Sequence, residues 1–315
     1  MAGMDTTGRA PLLFHRDFRR LTGGHLKVWH YYRHAGGSRR YQPQVYLTPH
    51  SLRGPENPFD GGDQIPLAEW RPESAATLFV AGLDWLAVPA DYPGRIVNLV
   101  QGVRHGMRED PRREFLRRRA VRICVSREVS DAIGATALVN GPAFTIPNGL
   151  DPIGMPAVRP WPRPVPLLIV GWKDAVLAAD VADRLRAQGA SPHLLCERLP
   201  REEFLGRLAA SEVVVFLPLA AEGCFLPALE AFGLGCLVVC PDCVGNRSFC
   251  RDGDTCLHPP REPGPIAAAA LAALAFPVPR RERMVAAATR EAAGLGLEGE
   301  RRAFLEILDN LDAIW

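Results

Sequence analysis

Residues 213–233 read VVVFLPLAAEGCFLPALEAFG. The apolar run 213–217 has the length of a buried strand, and residues 228–233 have the composition of a short helix. Pro227 suits the first helical position, where a missing N–H group costs nothing. The stretch therefore predicts a strand, a loop and a helix, which together form the repeating unit of a parallel α/β sheet.

The loop between that strand and that helix is suited to hold an anion. Backbone amides of residues 223–226 would point out of the helix start, and Gly223 would let a ligand approach the backbone closely. Glu222 before the helix and Glu230 one turn into it would bracket the anion, and carboxylates accept hydrogen bonds from hydroxyl groups. The residues predict a site for a charged nucleotide that carries a polyhydroxylated group.

The same alternation of strands and helices runs along the whole chain of 315 residues. In the first half we predict strands at 11–15, 44–48, 76–82, 95–101, 122–125 and 143–147, a helix at 27–34 and an irregular loop at 49–71. In the second half we predict strands at 167–170, 193–196, 213–217, 237–240 and 255–257, and helices at 175–188, 201–210, 228–233, 266–276, 280–293 and 300–314.

A proline-rich stretch after Asp151 separates the two halves, since prolines follow at 152, 156, 160, 162, 164 and 166. We interpret it as a linker between domains 1–151 and 152–315. Each would be a doubly wound α/β domain, and ligands of such folds bind outside the carboxyl ends of the strands. The sequence therefore predicts a ligand cleft between two such domains, with the terminal helices on the second.

Composition excludes several classes of protein. Lys and Arg total 37 against 35 for Asp and Glu, so the net charge of +2 disfavours a protein that coats nucleic acid. The longest apolar runs, 213–221 and 266–276, are shorter than the roughly 20 residues that span a bilayer. Residues 1–10 lack the apolar core of a signal peptide, so we expect a cytoplasmic protein whose eight cysteines are thiols.

The pattern Glu222-x7-Glu230, followed by AFGLGCLVV at 231–239, resembles the donor site of retaining glycosyltransferases of GT-B fold, in particular glycosyltransferase family 4. The similarity continues in VGN at 244–246 through Asp252-Gly253, in IPNGLD at 146–151 and in RICVS at 122–126. The resemblance implies two Rossmann-like domains that face each other across a cleft.

The resemblance also implies a role for each matching residue. Glu230 would hold the ribose diol of the nucleotide, and Glu222 would contact hydroxyls of the donor sugar. Lys173 would stabilise the departing diphosphate, although Trp172 stands where this family usually has a second cation. Together with Gly223, the backbone amides of three further residues would meet the sugar and the diphosphate: Cys224, Phe225 and Leu226.

In the first domain, Gly23 and Gly24 resemble the glycine loop that faces the donor phosphates. His105 follows the strand at 95–101 and is a candidate to contact the sugar near its reacting carbon, which makes it our third candidate catalytic residue beside Glu222 and Lys173. The candidates on the acceptor side are His25, Asp84 and Arg104.

The predicted enzyme would transfer a sugar from a nucleotide-diphosphate donor to a glycan or lipid-linked acceptor, with retention, in cell-envelope or exopolysaccharide synthesis. Backbone amides and cations can take the phosphate charge, so neither a metal nor another cofactor is required. The alternatives are a nucleotide-sugar-binding or scaffolding subunit without turnover, and a GT-B epimerase or phosphorylase.

Plainer interpretations remain for single motifs. Glu230 could be a helix-start acid, Gly23 and Gly24 an ordinary turn, the two histidines structural, and Lys173 a surface residue. Cys240, Cys243, Cys250 and Cys256 suggest zinc, but the second spacing is wrong for a zinc ribbon. Eight arginines against three acids between Arg104 and Arg122 indicate either a solvated helix face or a surface that docks on an anionic membrane.

Overall fold

The computed structural model describes residues 8–61 and 65–315. The expectation for the N-terminus concerns residues 1–10, of which 1–7 lie outside the described part, as do 62–64 of the predicted loop 49–71. The chain forms two compact units, the first made of residues up to Asn148 together with Leu297–Trp315, and the second of Gly149–Gly296. The predicted boundary at 151 lies close to this division, but the C-terminal segment belongs to the first unit.

The first unit is built on a parallel sheet of six strands among its described residues, in the order β2-β1-β3-β4-β5-β6. The strands are β1 Ala10–Arg16, β2 Tyr41–Leu47, β3 Thr77–Ala81, β4 Arg95–Val100, β5 Val121–Cys124 and β6 Ala143–Thr145. The helices that precede the second unit are α1 Gly23–Ala35 and α2 Arg127–Gly134, with 3-10 helices at Pro72–Ser74, Gly82–Ala87, Val103–Gly106 and Pro111–Arg117. All six predicted strands are present.

The second unit has a parallel sheet in the order β10-β9-β7-β8. Its elements are β7 Val165–Val170, α3 Ala175–Ala187, β8 His193–Leu195, α4 Arg201–Ala209, β9 Ser211–Phe216, α5 Leu226–Gly233, β10 Leu237–Val239, α6 Pro263–Leu274 and α7 Val278–Gly294. Residues 255–257 make only an isolated bridge, Val239 to Leu257, where a strand was predicted. The described residues thus form an α/β fold of two parallel sheets with helices, as predicted.

The run of valines in β9 shows why this sheet is central to the unit. Val213 and Val215 pack into one apolar core, whereas Val214 and Phe216 pack into another on the opposite side of the sheet. Successive side chains of a strand point to opposite faces, so a strand buried on both faces needs an unbroken apolar run. The decisive stretch is therefore apolar because helices cover both faces of its strand.

The C-terminal segment begins α8 at Leu297–Asp309 and continues as α9 at Leu311–Ile314. Buried Phe304 of α8 packs edge-on against Tyr31 of α1, with ring centroids 4.8 Å apart. The carboxylate of Glu300 pairs with the ammonium of Lys27 and lies 3.0 Å from Nε2 of His34. These apolar and charged partners explain why the terminal helices belong to the first unit, contrary to the prediction.

Two local predictions in the first unit also need correction. Helix α1 begins at Gly23 instead of 27, because Thr22 caps it through its side-chain oxygen, which accepts from the amide of His25 at 3.3 Å. Gly23 and Gly24 therefore belong to the first turn of a helix and do not form a loop. The arginine-rich segment forms a 3-10 helix at Pro111–Arg117 where a regular helix was expected.

Candidate nucleotide-sugar site

The loop before α5 is fixed by the segment that follows β10. The amide of Glu222 donates to the carbonyl of Cys243 at 3.1 Å, and the amide of Phe225 donates to the carbonyl of Gly245 at 2.9 Å. A Cβ on Gly245 would lie 2.7 Å from the amide nitrogen of Cys224 and 2.8 Å from the carbonyl oxygen of Glu222. Only glycine fits this approach, so the two loops form one rigid layer at the carboxyl end of the sheet.

This layer changes the prediction for the backbone amides. The amide of Phe225 is committed to Gly245 and cannot serve a phosphate without breaking that bond. The phenyl ring of Phe225 is buried and packs edge-on against Phe216 of β9. The prediction for the Phe225 amide is therefore wrong, while the roles of the amides at Gly223, Cys224 and Leu226 stay predictions.

Lys173 and Glu222 form the polar centre of this layer. Nζ of Lys173 lies 2.5 Å from Oε1 of Glu222, and the amide of Leu219 donates to the same oxygen at 3.2 Å. The ammonium also lies 5.0 Å from the centroid of the Phe225 ring, within cation–π range. The side chains of Lys173 and Glu222 keep 21% and 17% of their surface exposed, so both can reach a ligand.

Lys173 is positioned by the turn between β7 and α3. A Cβ on Gly171 would lie 2.2 Å from the Cβ of Ala178, so glycine is required where the helix passes the strand end. Asp174 caps α3, since its side chain accepts from the amide of Leu177 at 3.0 Å. Trp172 packs against Phe204 at 4.8 Å between ring centroids, so its ring serves the core.

A nearby arginine was missed by the sequence analysis. Arg261 lies in the segment before α6 and donates to a carboxylate oxygen of Asp174 at 2.7 Å and to the carbonyl of Pro218 at 3.2 Å. It therefore joins the loop before α5 to the residue that follows Lys173. No motif surrounds Arg261. The loops that it joins lie side by side because β7 and β9 are parallel neighbours in the sheet, so their carboxyl ends meet at the same edge.

Glu230 has a different environment from Glu222. It lies on α5 with 5% of its surface exposed, and its carboxylate pairs with the guanidinium of Arg201, the first residue of α4. Burial raises the pKa of Glu230, Arg201 lowers it in part, and the charge of Asp151 raises it further. The predicted pair of acids is present, but each acid already has a basic partner, and Arg201 was not among the predicted site residues.

Asp84 of the first unit lies in a polar cluster after β3. Its carboxylate pairs with Arg16 at the end of β1 and accepts from the amide of Ala81 at 3.0 Å. Arg16 also reaches Nδ1 of His25 at 2.7 Å, and burial together with that positive charge lowers the pKa of His25 to about 4. The structure therefore brings two of the predicted acceptor-side residues together through Arg16, which the sequence analysis missed.

The other first-unit candidates lie on and beside the 3-10 helix after β4. His105 is buried, and burial, aided by the positive charges of Arg112 and Arg104, lowers its pKa to about 4. Arg104 is exposed. A Cβ on Gly24 of α1 would lie 3.3 Å from Oε1 of Gln101, which also follows β4. Gly24 and His105 thus flank the carboxyl end of this strand.

The arginine-rich segment is largely structural. Arg122 is fully buried and donates to the carbonyls of Asn140 at 2.5 Å and Leu116 at 2.8 Å. Arg118 stacks over Trp85 at 4.9 Å, and Arg119 stacks over Trp315 at the same distance. These contacts give Arg118, Arg119 and Arg122 structural partners, while Arg104 and Arg108 in the first part of the segment are exposed.

The cysteine cluster does not form a metal site. Cys240, Cys243, Cys250 and Cys256 are buried thiols in the apolar core behind the loop layer. Among residues 8–61 and 65–315, no three or more His, Cys, Asp or Glu side chains are arranged to hold a metal ion. Asp252 and Asp254 lie in a turn, where Asp254 pairs with Arg251.

In the part of the chain that the structure describes, no helix combines the length and the apolar character needed to cross a membrane. No curated protein matches the sequence.

Comparison with solved structures shows the fold of the whole chain. A sucrose-phosphate synthase from Thermosynechococcus elongatus superposes with a TM-score of 0.70 at 15% identity, covering 97% of this chain and 100% of that one. The Anabaena protein Alr3699/HepE in complex with UDP and glucose superposes with a TM-score of 0.74 at 13% identity, covering 96% of this chain and 100% of that one. A glycosyltransferase from Rickettsia africae superposes with a TM-score of 0.66 at 11% identity, covering 95% of this chain and 97% of that one.

The sequence itself matches one protein family within the second unit. Residues 154–275 match the family described as glycosyl transferases group 1, a stretch that contains Lys173, Arg201, Glu222 and Glu230. The fold is therefore GT-B, and the family match over these residues supports a glycosyltransferase.

Proposed function

We propose that the protein is a glycosyltransferase that uses a nucleotide-diphosphate sugar as its donor. The observation that carries the proposal is the layer formed by Lys173, Glu222 and the start of α5, which lies within the match to glycosyl transferases group 1. Two of the similar structures are complexes of Alr3699/HepE with UDP-glucose or with UDP and glucose, which supports this class of ligand.

In the proposed reaction, the bond between the anomeric carbon and the diphosphate oxygen breaks while the acceptor oxygen bonds to that carbon. The electron pair of the broken bond leaves with the diphosphate oxygen, which gains a negative charge, and the acceptor hydroxyl passes its proton to that diphosphate or to water. Lys173 would stabilise this charge, because its half-buried ammonium is held in place by Glu222 and by the ring of Phe225. Glu222 would use its other oxygen to accept hydrogen bonds from the sugar.

Several finer features belong to the same proposal. Glu230 would bind the ribose diol, and Asp84, His25 and Arg104 would serve the acceptor. His105 would contact the donor sugar as a neutral donor or acceptor, because its low pKa keeps it uncharged near pH 7. Transfer would proceed with retention and without a metal, to a glycan or lipid-linked acceptor in polysaccharide synthesis by a cytoplasmic protein.

Calorimetry with UDP-, GDP- and ADP-sugars, followed by mass spectrometry of the products, tests the donor site. We expect Lys173→Met and Glu222→Gln each to weaken binding of the preferred donor about 10- to 100-fold, the worth of one charged hydrogen bond. Arg207→Met and Glu203→Gln are matched controls, because these two residues pair on the surface of α4. Unchanged donor affinity in both site variants would remove this layer from the donor site.

A non-catalytic nucleotide-sugar-binding subunit is the second candidate. It is favoured by Trp172, whose ring packs on Phe204 where this class of enzyme usually has a second cation. Donor binding without hydrolysis or transfer to any extracted envelope glycan would establish this alternative.

We also propose contact with an anionic membrane through the first part of the arginine-rich segment. Arg104, Met107 and Arg108 are exposed there, beside the 3-10 helix that carries His105. Each basic residue near an anionic surface contributes about 1 kcal/mol to binding. The protein should therefore sediment together with phosphatidylserine vesicles. The double variant Arg104→Glu, Arg108→Glu should stay in the supernatant. Equal sedimentation of the wild type and the double variant with the vesicles would show that this surface does not bind the membrane.

A further inference from the structure

The pair between Glu230 and Arg201 differs from the other acid–base pairs of the second unit. Glu230 is the acid that lies inside the core layer, since neighbouring residues Ala228, Leu229, Ala231 and Phe232 of α5 are all fully buried. Arg201 keeps 24% of its side-chain surface exposed, so it enters this environment from the edge. The buried carboxylate of Glu230 on α5 thus pairs with the partly exposed guanidinium of Arg201 on α4.

Burial acts against the ionised form of Glu230. The pKa of the carboxyl is raised, and loss of water is the largest cause. Asp151 adds a negative charge that raises the pKa further, whereas Arg201 lowers it both by its charge and by its hydrogen bond. Among the described residues, Arg201 is the cation that favours ionisation of this acid.

The protonation state of Glu230 decides what the group can bind. An ionised carboxylate accepts hydrogen bonds at both oxygens, whereas a protonated acid turns one oxygen into a donor. Arg201 contacts Oε1, and Oε2 accepts no hydrogen bond from the described residues. A vicinal diol, which offers two hydroxyl donors, is therefore matched by the ionised form with Oε2 available.

We infer that Arg201 is a positioning residue for nucleotide binding, which holds Glu230 ionised and aims its second oxygen at a ligand diol. This inference rests on the proposed function for the identity of the ligand. It does not make Arg201 a catalytic residue, because the guanidinium acts through the acid that it contacts.

The groups that face Glu230 come from two elements besides its own helix. Arg201 comes from α4, and Asp151 from the segment that enters the second unit. Helix α7 also packs against α5, but buried Ala288 and Ala292 form that side, and Thr289 donates to the carbonyl of Phe232 at 3.1 Å. Removal of Arg201 therefore leaves Glu230 with Asp151 as its charged neighbour.

The test compares the wild type with Arg201→Met, Arg201→Lys and the double variant Arg201→Met, Glu230→Gln. Binding of UDP-, GDP- and ADP-glucose, whose diphosphates carry no group that titrates in this range, is measured by calorimetry from pH 6.5 to 8.5. We expect flat affinity in the wild type and at least about tenfold weaker binding at pH 6.5 than at pH 8.5 in Arg201→Met, because the acid becomes protonated there. Arg201→Lys should restore most of the flat profile.

The double variant separates charge from packing. Glutamine cannot titrate, so the double variant should bind weakly but with the same affinity across this pH range. Arg207→Met is the control on the same helix, because Arg207 pairs with Glu203 on the surface and should leave the profile flat. A flat profile in Arg201→Met, or no rescue by lysine, would overturn the inference.

A second measurement needs no ligand and so separates this inference from the proposed function. Urea unfolding of the same variants is followed between pH 5 and 8.5. An acid with a raised pKa in the folded state binds protons more tightly there, so stability falls as pH rises towards that pKa. Arg201→Met should therefore lose stability with rising pH more steeply than wild type, and the double variant should not. Parallel curves would contradict the role of Arg201 even if no nucleotide binds.

Discussion

Lys27 and Glu300 form a buried ion pair in the first unit, with 1% and 0% of their side-chain surfaces exposed. The pair joins α1 to α8, and His34 gives Glu300 a second partner at 3.0 Å. Sequence patterns failed here because a lysine inside a helix is usually a surface residue. Its burial depends on an acid 273 positions later, which local periodicity cannot reveal.

Lys27→Met should destabilise the first unit strongly. Breaking a buried pair leaves one charge without its partner, and such changes cost about 3–5 kcal/mol. Urea unfolding monitored by tryptophan fluorescence measures the loss. The matched control is Arg301→Ala, which removes a surface pair with Glu298 and should cost less than about 1 kcal/mol. Equal effects of the two substitutions would show that Lys27 is not buried with its partner.

His105 should make stability depend on pH below neutrality. Its pKa is about 4 in the folded chain against 6.5 for an ordinary histidine, so the unfolded chain binds the extra proton first. Stability contributed by neutral His105 is therefore complete above pH 6.5 and falls by about 1.4 kcal/mol per unit between pH 6.5 and 4. His105→Gln should flatten this part of the unfolding curve. If the unfolding free energy of the wild type and of His105→Gln changed equally with pH in this range, His105 would be exposed to solvent in the folded chain.

At the scale of elements, the strands were predictable and the starts of some helices were not. The unbroken apolar run 213–217 predicts β9 because both faces of the sheet are covered. By contrast, Gly23 and Gly24 suggest a turn by composition, yet Thr22 caps a helix that includes them. Residues 111–117 carry helical composition but adopt a tighter 3-10 helix after Asp110, whose side chain accepts from the amide of Arg112.

In the candidate site, too, residues within local motifs could be predicted from the sequence, whereas contacts between distant segments could not. The spacing of Glu222 and Glu230 follows from a local motif, and Lys173 follows a strand end, so these residues could be found in the sequence. Arg201 and Arg261 could not, because neither the start of α4 nor the segment before α6 carries a motif, and their partners Glu230 and Asp174 are distant in sequence. The bond between Phe225 and Gly245 was missed for the same reason, since it joins two loops that are distant in sequence.

Gly245→Ala tests the rigid layer formed by these two loops. The added methyl would lie 2.7–2.8 Å from backbone atoms of Glu222, Gly223 and Cys224, so the loop before α5 must shift. We expect about 1–3 kcal/mol of destabilisation and loss of donor affinity, measured by thermal unfolding and calorimetry. Gly264→Ala is the control, because no atom lies within 4 Å of its added methyl. Normal donor affinity in Gly245→Ala would show that this layer does not shape the site.

At the scale of the whole chain, the sequence predicts two α/β units but not the return of the C-terminal segment. The alternation of strands and helices is local information, whereas the assignment of α8 depends on the faces that it buries. Phe304 and Leu308 are fully buried, and Phe304 packs against Tyr31 and Phe79 of the first unit. A helix with one apolar face fits several surfaces, so its pattern could not identify the right one.

Ending the chain after Gly296 should therefore damage the first unit more than the second. The deletion exposes Tyr31 and Phe79 and leaves Lys27 without Glu300, while β7 and β9 keep their neighbours. Hydrogen–deuterium exchange should show faster exchange in α1 and β3 and unchanged exchange in β7 and β9. Faster exchange confined to the second unit would contradict the division of the chain.

Hydrogen–deuterium exchange of the intact chain, with and without a saturating nucleotide-diphosphate sugar, tests whether Lys173 and the start of α5 form the donor site. We expect slower exchange in residues 219–230 and 172–174 when the donor is bound, because the diphosphate and the sugar would cover the start of α5 and Lys173. Exchange that stays unchanged in both segments, while protection appears elsewhere or nowhere, would contradict this expectation.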